Sequence, residues 1–188
     1  MRVIAGKYRS RPLLSLRGMD LRPTADRLRE TLFDVLTAGN PSALEGRHWI
    51  DLYAGTGAVG IEALSRGAAQ VYFVESAAKA ADLVRRNLDS LGINSGFEIL
   101  RQDVAGGLAS LAVRAARADF IFLDPPYRLE GAYRETLSSL GQSPLVSPAT
   151  TVIAEHQRRF DPGEGFGAVH RYRTLQQGDA ALSFYHTA

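Results

Sequence analysis

Two groups of residues in this chain have the types and spacing to do chemistry. The first is Asp124-Pro125-Pro126-Tyr127, which follows the apolar run Phe120-Ile121-Phe122-Leu123. Two prolines fix φ, remove two N–H donors and hold the residue before each in extended geometry. What remains is a rigid backbone whose carbonyls, together with Asp124, offer hydrogen-bond acceptors with few competing donors. That set suits the exocyclic amino group of a nucleobase, a poor nucleophile because its lone pair is delocalised into the ring. If Asp124 and the Pro125 carbonyl accept its two N–H bonds, the nitrogen can pyramidalise and aim its lone pair at an electrophilic methyl carbon. Tyr127 can stack on a base displaced from its neighbours.

The second group runs from His48 to Gly60. Trp49 to Tyr53 is a short apolar run that reads as a buried strand, and Gly55, Gly57 and Gly60 let the backbone turn and approach a ligand before a helix begins. A second apolar run, Val71 to Val74, ends at Glu75, 20 residues after Gly55. An acid there can take both hydroxyls of a ribose, so the expected ligand is a nucleoside-containing cofactor. No cation lies between Ala54 and Ile61, which argues against a nucleotide triphosphate loop. NAD fits the glycine spacing, and a helix N-terminus alone can hold a pyrophosphate. Asp51, however, places a carboxylate in the strand just before the loop, which suits a zwitterionic amino-acid moiety better than an anion. S-adenosylmethionine is therefore the favoured cofactor.

These residues need a scaffold that brings strand ends together. Helical patterns at Ala58–Arg66, Ala77–Leu91, Val104–Ala116 and Ala132–Leu140 alternate with apolar runs at Phe97–Arg101, Asp119–Leu123 and Thr151–Glu155. Such alternation predicts an α/β, doubly wound, mostly parallel sheet, in which ligands bind beyond the carboxyl ends of the strands. Asp161 to Gly167 reads as a loop. Val169–Leu175 and Ala181–Tyr185 then form an antiparallel hairpin through Gln177-Gly178-Asp179, because so short a connection cannot join parallel strands. Upstream, Met1 to Leu16 reads as a basic hairpin or extended arm. Arg22-Pro23-Thr24 introduces a helix with Thr24 as its cap and Leu28, Leu32, Val35 and Leu36 on one face. The expected division is residues 1–40 as basic arm and helix and residues 41–188 as the catalytic domain.

At 188 residues and 45% hydrophobic content the chain can bury one proper core. It has no cysteine, and its four histidines lack metal-ligand spacing, so neither disulfide, thiolate nor metal chemistry is expected. No run has the length of a membrane span, and there is no signal-peptide pattern; a cytoplasmic monomer is the expectation. Residues 1–30 hold eight cations against three anions, a net +5, while the rest hold 14 against 17, a net −3. A basic arm on a near-neutral body points to a polyanionic partner such as nucleic acid. Arg2, Lys7, Arg9, Arg11, Arg22 and Arg27 are its candidate contacts.

Asp51-Leu-Tyr-Ala-Gly-Thr-Gly, Asp124-Pro-Pro-Tyr, Leu21-Arg-Pro-Thr-Ala-Asp-Arg-Leu-Arg-Glu-Thr-Leu-Phe and the opening Met1-Arg-Val-Ile-Ala-Gly-Lys-Tyr-Arg-Ser-Arg together resemble the bacterial small-subunit ribosomal RNA guanine-N2 methyltransferases. The likeness covers nearly the whole chain and is weakest in the C-terminal third. It implies a Rossmann-like class I methyltransferase with a seven-stranded sheet and S-adenosylmethionine across Asp51 to Gly57. It further implies Glu75 at the ribose, Asp103 near the adenine amino group, and the target guanine held by Asp124 to Tyr127. Arg22 and Thr24 would border the site, Thr24 on the cofactor side. The implied partner is 16S ribosomal RNA or the small subunit. Three rivals fit parts of the pattern: an adenine-N6 methyltransferase on DNA or RNA, a nicotinamide-dependent oxidoreductase, and a non-catalytic RNA-binding module.

Overall fold

The apolar runs form the middle of one sheet in the computed structural model, which describes residues 1–15 and 23–187, leaving aside the side chains of residues 23–25. Strands β1 (His48–Leu52), β2 (Gln70–Val74), β3 (Phe97–Leu100), β4 (Phe120–Leu123) and β5 (Thr151–Gln157) are parallel, in the order β3-β2-β1-β4-β5. Both faces of such a sheet are covered, so the middles of these strands are largely apolar and β4, Phe-Ile-Phe-Leu, is wholly so. On one face Trp49, Phe73, Phe122 and Ile153 pack with α1 (Pro23–Thr37), α2 (Ala58–Ser65) and α3 (Ala78–Ser90). On the other, Ile50, Leu52, Ile121, Leu123 and Val152 pack with α4 (Val104–Val113) and α5 (Glu130–Leu140). Among the described residues, no helix is long and apolar enough to cross a membrane.

Strand β4 pairs with β1 and β5 so that Leu123 lies opposite Leu52 on one side and Ala154 on the other. One step further along, Asp124 leaves the end of β4 beside Glu155, which remains within β5 and pairs with Leu182 of β8. Alternation assigns Asp124 and Glu155, with Asp51 and Glu75, to the Trp49–Phe122 face.

The C-terminal hairpin forms as expected from β7 (Val169–Gln177) and β8 (Ala180–Thr187), with the turn at Gly178. It is β8 that pairs with β5, antiparallel, leaving β7 outside it. The sheet has eight strands, not the seven expected. The extra one, β6 (Gly165–Phe166), arises inside the stretch read as a loop: Gly167 turns with φ +61°, setting Phe166 opposite Val169.

The N-terminal segment closes on itself through Val3 N–H to the Arg11 carbonyl and Ser10 N–H to the Val3 carbonyl, around a single 3₁₀ turn at Gly6–Tyr8. It does not stand away from the body. Glu62 of α2, fully buried, accepts the backbone N–H groups of Ile4 and Ala5 at 2.8 and 2.9 Å. Arg29 of α1 donates to the Arg2 carbonyl at 2.6 Å and lies 3.9 Å from Glu62, and Arg66 pairs with Glu62 at 2.8 Å. Val3, Leu13, Leu28, Leu32 and Phe33 share one hydrophobic core with Trp49 and Phe122.

Candidate active site

Strand β1 ends at Leu52, and Tyr53 follows with φ +59°, a left-handed backbone that is costly for a side-chain-bearing residue. That reversal throws Ala54 to Gly57 over the end of the sheet. Gly57, φ +76°, sits directly before α2, and a Cβ there would lie 3.1 Å from Val84. A Cβ on Gly60 would come within 2.3 Å of the Phe73 ring, so Gly60 serves close packing of α2 on β2.

Three acids hold the loop and its neighbours. Asp51 Oδ2 accepts the Gly60 N–H at 2.9 Å, tying the end of β1 to the first turn of α2. Glu75, after β2, accepts the Gly55 N–H at 2.9 Å through one oxygen and the Ala77 N–H at 2.8 Å through the other. Asp103 caps α4 by accepting the Gly106 N–H at 2.7 Å, its side chain exposed beyond the end of β3. Asp51, Gly55, Gly57, Glu75 and Asp103 thus lie along the carboxyl ends of three adjacent strands.

Asp124 to Tyr127 begin where β4 stops. Asp124 is half-buried and has no hydrogen bond or ion pair among the described residues. The Pro125 carbonyl accepts the Tyr133 hydroxyl at 3.3 Å and retains its second lone pair. Pro126 is exposed and Tyr127 half-buried, with its hydroxyl 3.5 Å from Glu155.

The electrostatics follow from crowding acids at one edge. Burial pushes the Asp124 carboxyl up to about 7. Burial also raises Glu155 well above the usual carboxylate range, and the neighbouring Asp124 adds to it. Asp51 is raised well above its ordinary value by burial, then by Asp124 and Glu75, against the opposing Gly60 N–H. Mutually repelling carboxyls in a recessed site are relieved by a cationic ligand and worsened by an anionic one. This donor set fits a sulfonium and an α-ammonium and does not fit the pyrophosphate of NAD.

The remaining expected residues fall in different places. Arg2 and Arg27 are exposed near the α1 end of the fold, where Arg29 grips the Arg2 backbone. Lys7 and Arg9 flank Tyr8, whose N–H bonds Ser65 at the far end of α2, roughly 12 Å of helix rise from the glycine loop. Arg11 reaches the Ser90 carbonyl at the end of α3. Arg22 lies outside the described residues, as does the side chain of Thr24, whose backbone is in the first turn of α1.

Sequence reasoning gives Glu155 no role, although an acid ending an apolar strand beside the strand that carries Asp124 is the available signal. It also gives none to Arg158 and Arg159. With Tyr127, Gln157 and Asp179 they line an open groove of about 750 Å³ next to Asp-Pro-Pro-Tyr. The C-terminal hairpin supplies one wall of that groove through Asp179, whose carbonyl accepts the Arg158 N–H.

A parallel sheet in this order with an antiparallel strand beside β5, a glycine loop after β1 and Asp-Pro-Pro-Tyr after β4 define a class I methyltransferase. The chain belongs to the family described as Conserved hypothetical protein 95, matched over residues 1–186. It is 33% identical over 159 residues to ribosomal RNA small subunit methyltransferase D of Haemophilus influenzae, covering 84% of this chain and 79% of that protein. The protein of the same name from Escherichia coli K12 is 31% identical over 157 residues, 84% of this chain and 75% of its own. The structure of a Thermus thermophilus hypothetical protein, TTHA0928, superposes with a TM-score of 0.80 at 26% identity, covering 100% of this chain and 99% of that one.

Proposed function

We propose that this protein transfers a methyl group from S-adenosylmethionine to the exocyclic N2 amine of a guanine in small-subunit ribosomal RNA. The carrying observation is Asp124: a recessed acceptor, without a donor partner among the described residues, at the end of the strand adjoining the one that carries the glycine loop. Its fixed backbone suits orientation of an amine, and the names of the relatives supply the nucleic acid.

In this reading Asp51, Gly55, Gly57, Glu75 and Asp103 hold the cofactor, with Thr24 beside them, and the cofactor supplies an electrophilic methyl bonded to a positively charged sulfur. Asp124 and the Pro125 carbonyl accept the two N–H bonds of N2 and turn its lone pair toward that carbon. The N–C bond forms as the C–S bond breaks, leaving a neutral thioether. The methylated nitrogen then sheds a proton, which the Asp124 carboxylate, its pKa pushed up to about 7 by burial, can accept. Pro126 keeps the segment rigid and Tyr127 stacks on the base. Arg158 and Arg159 meet flanking phosphates along the groove, while Arg2, Arg22 and Arg27 approach the RNA from the α1 side. Lys7, Arg9 and Arg11 contribute a weaker, outlying field.

Replacing Asp124 with Ala tests the chemistry. Cofactor binding should persist while single-turnover transfer falls by about 10² to 10³, the loss typical of removing one preorganised group at the reacting centre. Near-normal transfer in that variant would overturn the assigned role.

A further inference from the structure

We infer that Glu155 is a specificity residue that reads the N1–H of the target guanine and so separates it from adenine. The inference rests on the guanine-N2 reading above and extends it from the reacting amine to the recognised edge.

Leu123 and Ala154 are paired across β4 and β5, so Asp124, the first residue past the end of β4, lies beside Glu155, which is still within β5 and paired on its other side with Leu182 of β8. Adjacent strands lie about 4.8 Å apart, which lets two carboxylates address two neighbouring groups on one base. Glu155 is half-buried, its hydroxyl neighbour Tyr127 is a loose 3.5 Å away, and no ion pair holds it among the described residues. The Arg29 guanidinium, the cation bearing on it, is already engaged by Asp26 and the Arg2 carbonyl.

Chemistry then selects the occupant. Guanine presents N1–H and N2–H as adjacent, parallel donors. With Asp124 and the Pro125 carbonyl on N2, the neighbouring carboxylate falls to N1–H. Adenine offers an amine flanked by N1, an acceptor that Glu155 can meet only while it keeps its proton; once ionised it faces a lone pair and both groups are left unpaired, whereas guanine N1–H pairs with the carboxylate itself. A buried acceptor without its donor is what lets a site reject an analogue strongly. Burial and Asp124 both disfavour the Glu155 charge, so a donor arriving with the correct base is worth more there than it would be in water.

The probe is 2-aminopurine, which keeps the exocyclic 2-amine and replaces N1–H with an acceptor. Small-subunit RNA fragments carrying guanosine or 2-aminopurine riboside at the position modified by the wild-type protein are compared in kcat/KM, for wild type and for Glu155→Gln. The Gln side chain can present an amide N–H to N1. Wild type should favour guanosine by about 10² or more, and Glu155→Gln should narrow that ratio at least about ten-fold with S-adenosylmethionine affinity unchanged. Because the two amines differ in intrinsic reactivity, the change in the ratio carries the result.

Equal use of both bases by wild type would overturn the inference, as would a Glu155→Gln variant that slows both equally. If Glu155→Gln fails to bind cofactor, Glu155→Asp, which shortens the reach to N1, replaces it and should weaken guanosine more than 2-aminopurine; equal weakening would count against the assignment. Failure of the underlying reading looks different: the wild-type product would not be N2-methylguanosine at all.

Discussion

Glu62 accepts the Ala5 backbone N–H at 2.9 Å from a side chain with no exposure to solvent, and in doing so fastens the basic N-terminal segment to the helix that begins at the glycine loop. One buried carboxylate binds the Ile4 and Ala5 N–H groups and the Arg66 guanidinium, and lies 3.9 Å from Arg29. Removing it orphans the two N–H groups and leaves Arg66 without its ion pair, while Arg29 keeps Asp26 and the Arg2 carbonyl. Glu62→Ala should cost about 3–5 kcal/mol, the range for breaking a buried ion pair, and lower Tm by about 6–20 °C in a domain of this size. Thermal melting checks this; a Tm within a degree of wild type would mean that the contacts are not formed in solution.

Asp124 gives the protein a pH dependence with a definite sign. Its folded pKa, about 7, lies above the ordinary carboxylate value, so folding favours the protonated form. The stability this group contributes is complete below about pH 4 and is lost as pH rises through about 7. Binding of a cationic cofactor should strengthen over the same window as the carboxylate ionises. Calorimetric titration with S-adenosylmethionine between pH 5.5 and 8.5 should show affinity rising with pH in wild type and flattened in Asp124→Asn. Identical profiles for both would place the titration elsewhere.

The two groups of cations make separable predictions about RNA. Alanine at both Arg158 and Arg159, which line the groove beside Tyr127, should lower affinity and flatten the slope of log K against log salt by roughly 0.7–0.9 for each phosphate no longer neutralised. Alanine at Arg9 and Arg11 should flatten it less. Filter binding at several salt concentrations measures both, and a reversed order would move the RNA path to the N-terminal segment.

Tyr127 is assigned a stacking role, which the phenyl ring alone can fill. Tyr127→Phe should keep most of the affinity for RNA, whereas Tyr127→Ala should lose about 1–3 kcal/mol of base-stacking energy, chiefly as a raised KM. If Phe proves as damaging as Ala, the hydroxyl and its contact with Glu155 matter more than the ring.

What is legible in the sequence is whatever local backbone chemistry dictates. Gly57, Gly60 and the two prolines announce their geometry within a few residues, Asp51 is placed by its position inside an apolar run, and Glu75 and Asp124 by their positions directly after one. The doubly wound sheet and the β7–β8 hairpin follow from alternation and from one short turn. Glu155 is harder because its partner lies 31 residues earlier, and only the pairing of β4 with β5 makes them neighbours. Glu62 looks like an ordinary helix residue; its partners, Ile4 and Ala5, are 58 and 57 residues away. Charge alone makes an arm of the N-terminal segment, and charge says nothing of how its backbone N–H groups are satisfied. β6 is two residues long and depends on a glycine turn rather than on any hydrophobic pattern.

Incubating the purified protein with methyl-labelled S-adenosylmethionine and small ribosomal subunits from a strain lacking the corresponding gene, then digesting the RNA to nucleosides, reads out cofactor, nucleic acid and methylated atom together. Label in N2-methylguanosine is the predicted result. Label in N6-methyladenosine, or in protein and not in RNA, would contradict it.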